Sequence, residues 1–135
     1  MEGFAEIPEC LSVIICDQVF RDERTHKQII VGTFNEILAP QFPALHPRMT
    51  VLFTLTNGKG EYQLGLAVEN ARTGVPIAKI EGPLSLNDPL QIADFHVEVV
   101  NLNLPEPGKY WVCVIINGQT IKQRPFNVRL VEVKL

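Results

Sequence analysis

Two runs joined by a short polar stretch decide the fold class. They are Met49-Thr50-Val51-Leu52-Phe53-Thr54-Leu55-Thr56 and Glu61-Tyr62-Gln63-Leu64-Gly65-Leu66-Ala67-Val68-Glu69-Asn70, linked by Asn57-Gly58-Lys59-Gly60. Successive side chains of an extended chain point to opposite faces. In the first run Met49, Val51, Phe53 and Leu55 therefore share one face, and Thr50, Thr54 and Thr56 the other. In the second run Tyr62, Leu64, Leu66 and Val68 oppose Gln63, Gly65, Ala67 and Glu69. Such alternation belongs to antiparallel strands that bury one face. Asn57 and the glycines accept the backbone of a tight turn, so the two runs are expected to form a hairpin.

The same pattern extends outward. Strands are expected at Leu11–Asp17, Gln28–Phe34, Met49–Thr56, Glu61–Asn70, Ile77–Glu81, Ala93–Leu104, Lys109–Asn117 and Gln119–Val133. No window of helical length keeps a 3.6-residue apolar period free of Pro or Gly. Asn117-Gly118 suits a type I′ hairpin, in which both central residues take positive φ. About eight short strands between turn residues predict an all-β antiparallel sandwich, drawn as one domain over residues 1–135. Two strands change phase. Phe95, Val97 and Val99 give way to Val100, Leu102 and Leu104, and Phe126, Val128 and Leu130 give way to Val131, Val133 and Leu135. A one-residue slip moves every later side chain to the other face, so a bulge or sheet switch is expected near Val99–Val100 and Leu130–Val131.

The composition bounds the function. The chain has 135 residues, 46% of them hydrophobic and 20% charged, with a formal net charge of -3. It is large and apolar enough for one core without a disulfide or metal staple. It has no basic field for nucleic acid or anionic lipid, so neither is expected as a partner. Glu2, Glu6 and Glu9 flank the short apolar run Leu11 to Cys16 with the wrong charge for a secretory signal, and no run reaches the ~20 apolar residues of a membrane span. A cytoplasmic protein is expected. Cys10, Cys16 and Cys113 are an odd count without a CxxC, read as two buried hydrophobes and one loop thiol. A Cys16–Cys113 bridge is the alternative, disfavoured in a reducing compartment.

Four features could carry chemistry. Asp94, His96 and Glu98 share one face of a strand and are candidate metal ligands or an acid–base pair, but no second HxH or CxxC completes a zinc set. Cys16-Asp17 with His26, His46 or His96 is the one arrangement for a thiolate nucleophile, placed in an apolar strand that raises the thiol pKa. No phosphate-binding glycine loop is present, and no cofactor is expected. The segment Asn35 to Arg48 holds Pro40, Pro43 and Pro47 with apolar Phe42 and Leu45, a stiff connection that either binds a partner or caps the core as a crossover. The run Lys109–Asn117 is apolar on both faces, with Tyr110, Val112, Val114 and Ile116 opposed to Trp111, Cys113 and Ile115. A doubly apolar strand needs cover, from the Pro-rich segment or from a second subunit.

Gly108-Lys109-Tyr110-Trp111-Val112 resembles the opening of the penultimate strand in immunoglobulin-like and fibronectin-like sandwiches. That resemblance implies a corner in which the Tyr hydroxyl bonds back to the preceding loop. Cys113 stands three residues after the Tyr rather than two, so it implies no inter-sheet disulfide of the antibody kind. Ile15-Cys16-Asp17, Ile30-Val31-Gly32-Thr33-Phe34-Asn35 and Ala39-Pro40-Gln41-Phe42-Pro43-Ala44-Leu45-His46-Pro47 together resemble a family of small bacterial proteins known as a domain of unknown function. The resemblance implies a cytoplasmic β-sandwich and brings no catalytic residues with it.

The expectation is a non-catalytic interaction or self-associating protein, an immunoglobulin-like sandwich of about eight strands. Its candidate contact residues are Trp111, Ile115, Phe42, Leu45 and His46. The alternative is a small-molecule or carbohydrate-binding module with an aromatic sheet face. A metal-dependent or cysteine enzyme comes third.

Overall fold

A computed structural model describes residues 6–132. Of these, 72% are strand and none is helix. The strands are β1 (Glu9–Arg21), β2 (Gln28–Thr33), β3 (Glu36–Ala39), β4 (Ala44–Thr56), β5 (Gly60–Asn70), β6 (Pro76–Leu86), β7 (Ala93–Leu104), β8 (Gly108–Ile116) and β9 (Gln119–Leu130). They form a four-stranded sheet, β2-β1-β4-β7, and a five-stranded sheet, β3-β9-β8-β5-β6. One sheet curls into a half-barrel. β3 runs parallel to β9, and the other pairs are antiparallel.

The all-β expectation holds, with nine strands in place of eight. The added strand, β3, lies inside the Pro-rich segment. Its four residues are too few to show a period, and Ile37 and Ala39 are its inward pair.

The core fills the space between the sheets. Val13, Ile15, Met49, Val51, Phe53 and Leu55 come from one sheet, and Leu66, Val68, Tyr110, Val112, Val114 and Phe126 from the other. Phe53 stacks on Phe95, and Tyr110 on Phe126, each with ring centroids 5.5 Å apart. Each fully buried large aliphatic or Phe side chain contributes ~1.5–3 kcal/mol.

The Asn57–Gly60 turn corrects one expectation. β4 and β5 belong to different sheets, so the turn crosses from one sheet to the other instead of closing a hairpin. Alternation shows which face of a strand is buried and leaves open which strand lies beside it. The two runs bury their apolar faces against each other across the core. Asn117-Gly118 behaves as expected: Ile116 pairs with Gln119, and the turn residues have φ of 51° and 81°.

The first expected phase change is met without a register shift. In β7 the alternation does break, since Val99, Leu102 and Leu104 are buried while Val100 is 57% exposed. The β4–β7 register nevertheless runs on unchanged, from Met49 opposite Val99 to His46 opposite Leu102. At the C-terminal end, β9 stops at Leu130, and the Val131 N–H still donates to the Ala39 carbonyl (2.9 Å) as a rung of the parallel β3 ladder. Val133 and Leu135 lie outside the described residues. Register shifts occur instead at Cys10/Ser12, Val68/Glu69 and Val114/Ile115.

All three cysteines are free, buried and on strands, so none is a loop thiol and the Cys16–Cys113 bridge is not formed. Cys16 and Cys113 sit on different sheets. The Tyr110 hydroxyl donates to the Glu106 carbonyl (2.6 Å) and accepts from the Glu106 N–H (3.4 Å). The Glu106 carboxylate accepts from Asn70 Nδ2 (2.9 Å), Arg72 Nε (2.8 Å) and Arg72 Nη2 (3.0 Å). These bonds tie the β5–β6 turn to the β7–β8 turn.

Candidate interaction surface

Trp111 and Ile115 lie half-buried on the outer face of the five-stranded sheet. Trp111 stands opposite Glu69 and Pro125, with Lys109 Nζ 4.2 Å above its ring. Gly65 leaves room for Ile115, since a Cβ there would stand 3.3 Å from Ile115 Cβ. Between them Cys113 is sealed, with Gln123 Oε1 3.8 Å from its sulfur. Burial, and then the charge of Glu69, push the Cys113 thiol up to about 11. The outer apolar residues of β8 are thus covered largely by their own sheet neighbours.

The Pro-rich segment carries the chain from β3 in one sheet to β4 in the other, the crossover expected of it. Phe42 packs against the core, whereas Leu45 is 63% exposed and does not cap it. His46 is half-buried, its ring 5.8 Å from that of Phe34. The five contact candidates therefore divide between two regions and do not form one surface.

Asp94, His96 and Glu98 are exposed on the outer face of β7, opposite Thr54, Leu52 and Thr50 of β4. Thr54 Oγ1 donates to Asp94 Oδ1 (2.6 Å). Among the described residues no three His, Cys, Asp or Glu side chains are grouped to hold a metal ion. The Cys16 thiol donates to the carbonyls of Gln18 (3.5 Å) and Thr50 (3.6 Å). Burial first, and the adjacent Asp17 second, raise its pKa, which opposes a nucleophilic thiolate.

A feature that periodicity does not reveal is the fork at Cys16. β1 pairs with β4 from Glu9 to Cys16 and with β2 from Cys16 to Arg21. Beyond the fork, β1 and β2 continue as a two-stranded arm. A cleft of about 330 Å³ opens beside it, lined in part by Asp17, Phe34, Glu36, Leu38 and His46. Gly32 has φ +70° and carries the Asp17 carboxylate over its backbone, where any Cβ would collide with Oδ2. Glu36 is paired with Arg129 Nε (2.6 Å). His46 Nε2 is buried with no hydrogen-bond partner among the described residues, and burial lowers the imidazole pKa.

The four sheet edges differ in how they are guarded. Edge strands present unpaired backbone groups, and proteins blunt them with prolines, charges, kinks or short length. β6 carries Pro76, Pro83 and the Lys79–Glu81 ion pair (2.8 Å). β7 carries Asp94, His96 and Glu98 and a left-handed Asn101 (φ 53°). β3 has four residues and runs into Pro40. β2, Gln28-Ile29-Ile30-Val31-Gly32-Thr33, has no proline and no charge, and its one left-handed residue, Gly32, stands next to its end. Its residues Ile29, Ile30 and Val31 are exposed, Ile29 at 47%, and so is Phe20 opposite Ile29, at 52%. Three apolar residues in a row have the composition of a buried strand, and only the topology shows them on an edge.

Comparison with known proteins places the chain. No curated protein matches it. A similar solved structure is the alkylpurine DNA glycosylase AlkC of Pseudomonas fluorescens, bound to DNA containing an abasic site analog. Its TM-score is 0.50 at 18% identity, over 70% of this chain. The match spans 27% of that enzyme's length and is a likeness of fold. A family model matches residues 11–129, nearly the whole of the two sheets. The chain belongs to the DUF6941 family, a family of unknown function.

Proposed function

We propose that this chain is a non-catalytic interaction domain, an immunoglobulin-like sandwich that associates through the open edge of β2. The immunoglobulin-like reading is supported by the strand order, with β3 joining the five-stranded sheet parallel to β9. It is also supported by the Tyr110 hydroxyl closing on the Glu106 carbonyl at the entrance to β8. The observation that carries the function is the contrast between β2, apolar and unguarded, and the three blunted edges. Main-chain pairing at such an edge gives affinity, and the flanking side chains give specificity.

Other elements of the reading have their own support. The nucleophile candidate on β1 and the metal candidates on β7 are held apart by β4 in the four-stranded sheet, which favours binding over catalysis. Net charge -3 disfavours nucleic acid and anionic lipid as partners. Three free, buried thiols suit a reducing bacterial cytoplasm. A second reading, a small-ligand site, is favoured by the unpartnered His46 Nε2 beside a cleft at the small end of ligand pockets. A sugar platform at Trp111 has less support, since Lys109 sits over the ring.

A photo-crosslinking residue at position 30, introduced in cells, tests the main reading. The expected result is a covalent adduct to a protein, whether another copy or a different chain, with none from the same residue at position 79. A chain that stays unlinked at both positions overturns it.

A further inference from the structure

We infer that the occupant of the β2 edge is β2 of a second copy, paired antiparallel about a two-fold axis at Ile30. The inference rests on the reading of β2 as the working edge and names what fills it. The register within the arm sets the argument. Arg21 stands opposite Gln28, Phe20 opposite Ile29, Val19 opposite Ile30 and Gln18 opposite Val31, so Asp17 falls opposite Gly32. Cross-strand partners share a face. Phe20, Ile29, Gln18 and Val31 are therefore on one face of the arm, and Val19, Ile30, Arg21, Gln28, Asp17 and Gly32 on the other.

The backbone groups follow the same register. The Asp22 N–H donates to the Lys27 carbonyl (2.9 Å), which makes that pair a hydrogen-bonded one. Bonded and non-bonded pairs alternate along an antiparallel ladder. Ile29 and Val31 thus bond toward β1, and the N–H and C=O groups of Gln28 and Ile30 point to the open edge. The alternation reverses around the left-handed Gly32, beyond which the Phe34 N–H donates to the Ile15 carbonyl (3.1 Å).

An axis at Ile30 makes three rows of side chains complementary. Phe20 and Ile29 meet the partner's Val31. Val19 and Ile30 meet the partner's Ile30 and the partner's Val19. Arg21 and Gln28 meet the partner's Gly32, over which the partner's Asp17 leans its carboxylate. The last row sets a cation on one copy toward a carboxylate on the other, across the side-chain-free Gly32. Moving the axis to Ile29 sets Ile30 against the partner's Gln28. Moving it to Val31 sets Ile30 against the partner's Gly32 and Ile29 against the partner's Thr33. Of the three registers, only the one at Ile30 matches apolar with apolar and acid with base. The product is an isologous dimer whose four-stranded sheets join into one, the commonest oligomer symmetry.

Sedimentation velocity on the full chain through the micromolar range tests this. Wild type is expected to be a dimer. Ile30→Pro, which removes the outward N–H, and Ile30→Lys should each weaken it about tenfold or more. Thermal melting reports whether each variant is folded, and Trp111→Ala should leave the dimer intact. Asp17→Arg sets like charges along the third row and should weaken the dimer, and adding Arg21→Asp should restore it. That charge swap tests the register even if Ile30→Pro fails to fold. A wild-type monomer at every concentration overturns the inference. If the position-30 crosslinker then still captures a different protein, the edge reading stands with another occupant, and if it captures nothing, both fall. A dimer that survives Ile30→Lys and Asp17→Arg also overturns the inference.

Discussion

Pro47 of β4 stands opposite Asn101 of β7, and at this pair both strands turn over their buried faces without losing register. His46 pairs with Leu102 on one side of it and Arg48 with Val100 on the other. Pro47 has no N–H to place, and Asn101 takes φ 53°, a conformation that Asn tolerates and branched residues do not. A proline and a left-handed residue together do what an inserted residue does in a bulge.

Asn101→Val should therefore cost ~1–2 kcal/mol, the penalty of a left-handed conformation for a side chain with Cβ branching. Asn101→Gly should stay within ~1 kcal/mol of wild type. Urea unfolding midpoints check both, and a neutral Asn101→Val would show that the backbone relaxes there.

The corner at Tyr110 makes a second prediction. Tyr110→Phe keeps the ring stacked on Phe126 and removes the donor to the Glu106 carbonyl. A loss of ~1–3 kcal/mol is expected, the cost of leaving a part-buried acceptor without its bond. Denaturant unfolding at neutral pH is the measurement.

Thiol chemistry separates burial from reactivity. Cys113 is fully buried between Trp111 and Ile115 on β8, and its thiol is pushed up to about 11. The native protein should react slowly with a thiol reagent at all three cysteines, and the unfolded chain quickly. Because the folded pKa lies above that of the unfolded chain, this thiol's contribution to stability is full below about pH 8.5 and is lost as pH rises toward 11. Cys113→Ala should flatten that alkaline decline.

His46 acts in the opposite sense. Its folded pKa lies below the ordinary 6.5, because burial disfavours the imidazolium. Its contribution is therefore present above about pH 6.5 and lost as pH falls through the folded value. Unfolding midpoints of His46→Gln should vary less than wild type just below that pH. Equal slopes would show that His46 takes up its proton without strain.

The inward faces of β4 and β5 were legible in the sequence because alternation is a local property, whereas the burial of Thr50, Leu52 and Ala67 on their other faces was not. The Asn117-Gly118 hairpin was legible too, since its turn residues carry the needed conformations. Neighbour choice was not legible. Met49–Thr56 and Glu61–Asn70 show which faces are buried, yet the same pattern serves a hairpin and a crossover. β3 depends on a partner 91 residues away, Asn127 opposite Glu36, and no local signal announces it. The fork cleft draws Asp17, Phe34 and His46 from three separate segments, each unremarkable alone. The exposure of the β2 run was not legible for a physical reason: Ile29-Ile30-Val31 has the composition of a buried strand, and only its place at the end of the sheet order exposes it.

The parallel pairing of β3 with β9 also governs when the molecule can be completed. A chain emerging from the ribosome presents β3 long before the strand that holds it exists. The β8–β9 hairpin closes locally and fast, but β3 must wait for it. The Arg124 guanidinium, which donates to the Val13 carbonyl (2.8 Å) and to Asn35 Oδ1 (2.9 Å), arrives equally late and joins β9 to the oldest part of the chain. Until then the five-stranded sheet lacks its closing edge and the nascent chain exposes apolar surface. The C-terminal strand is thus the latch of the fold, and truncation before Pro125 would leave β3 without its partner.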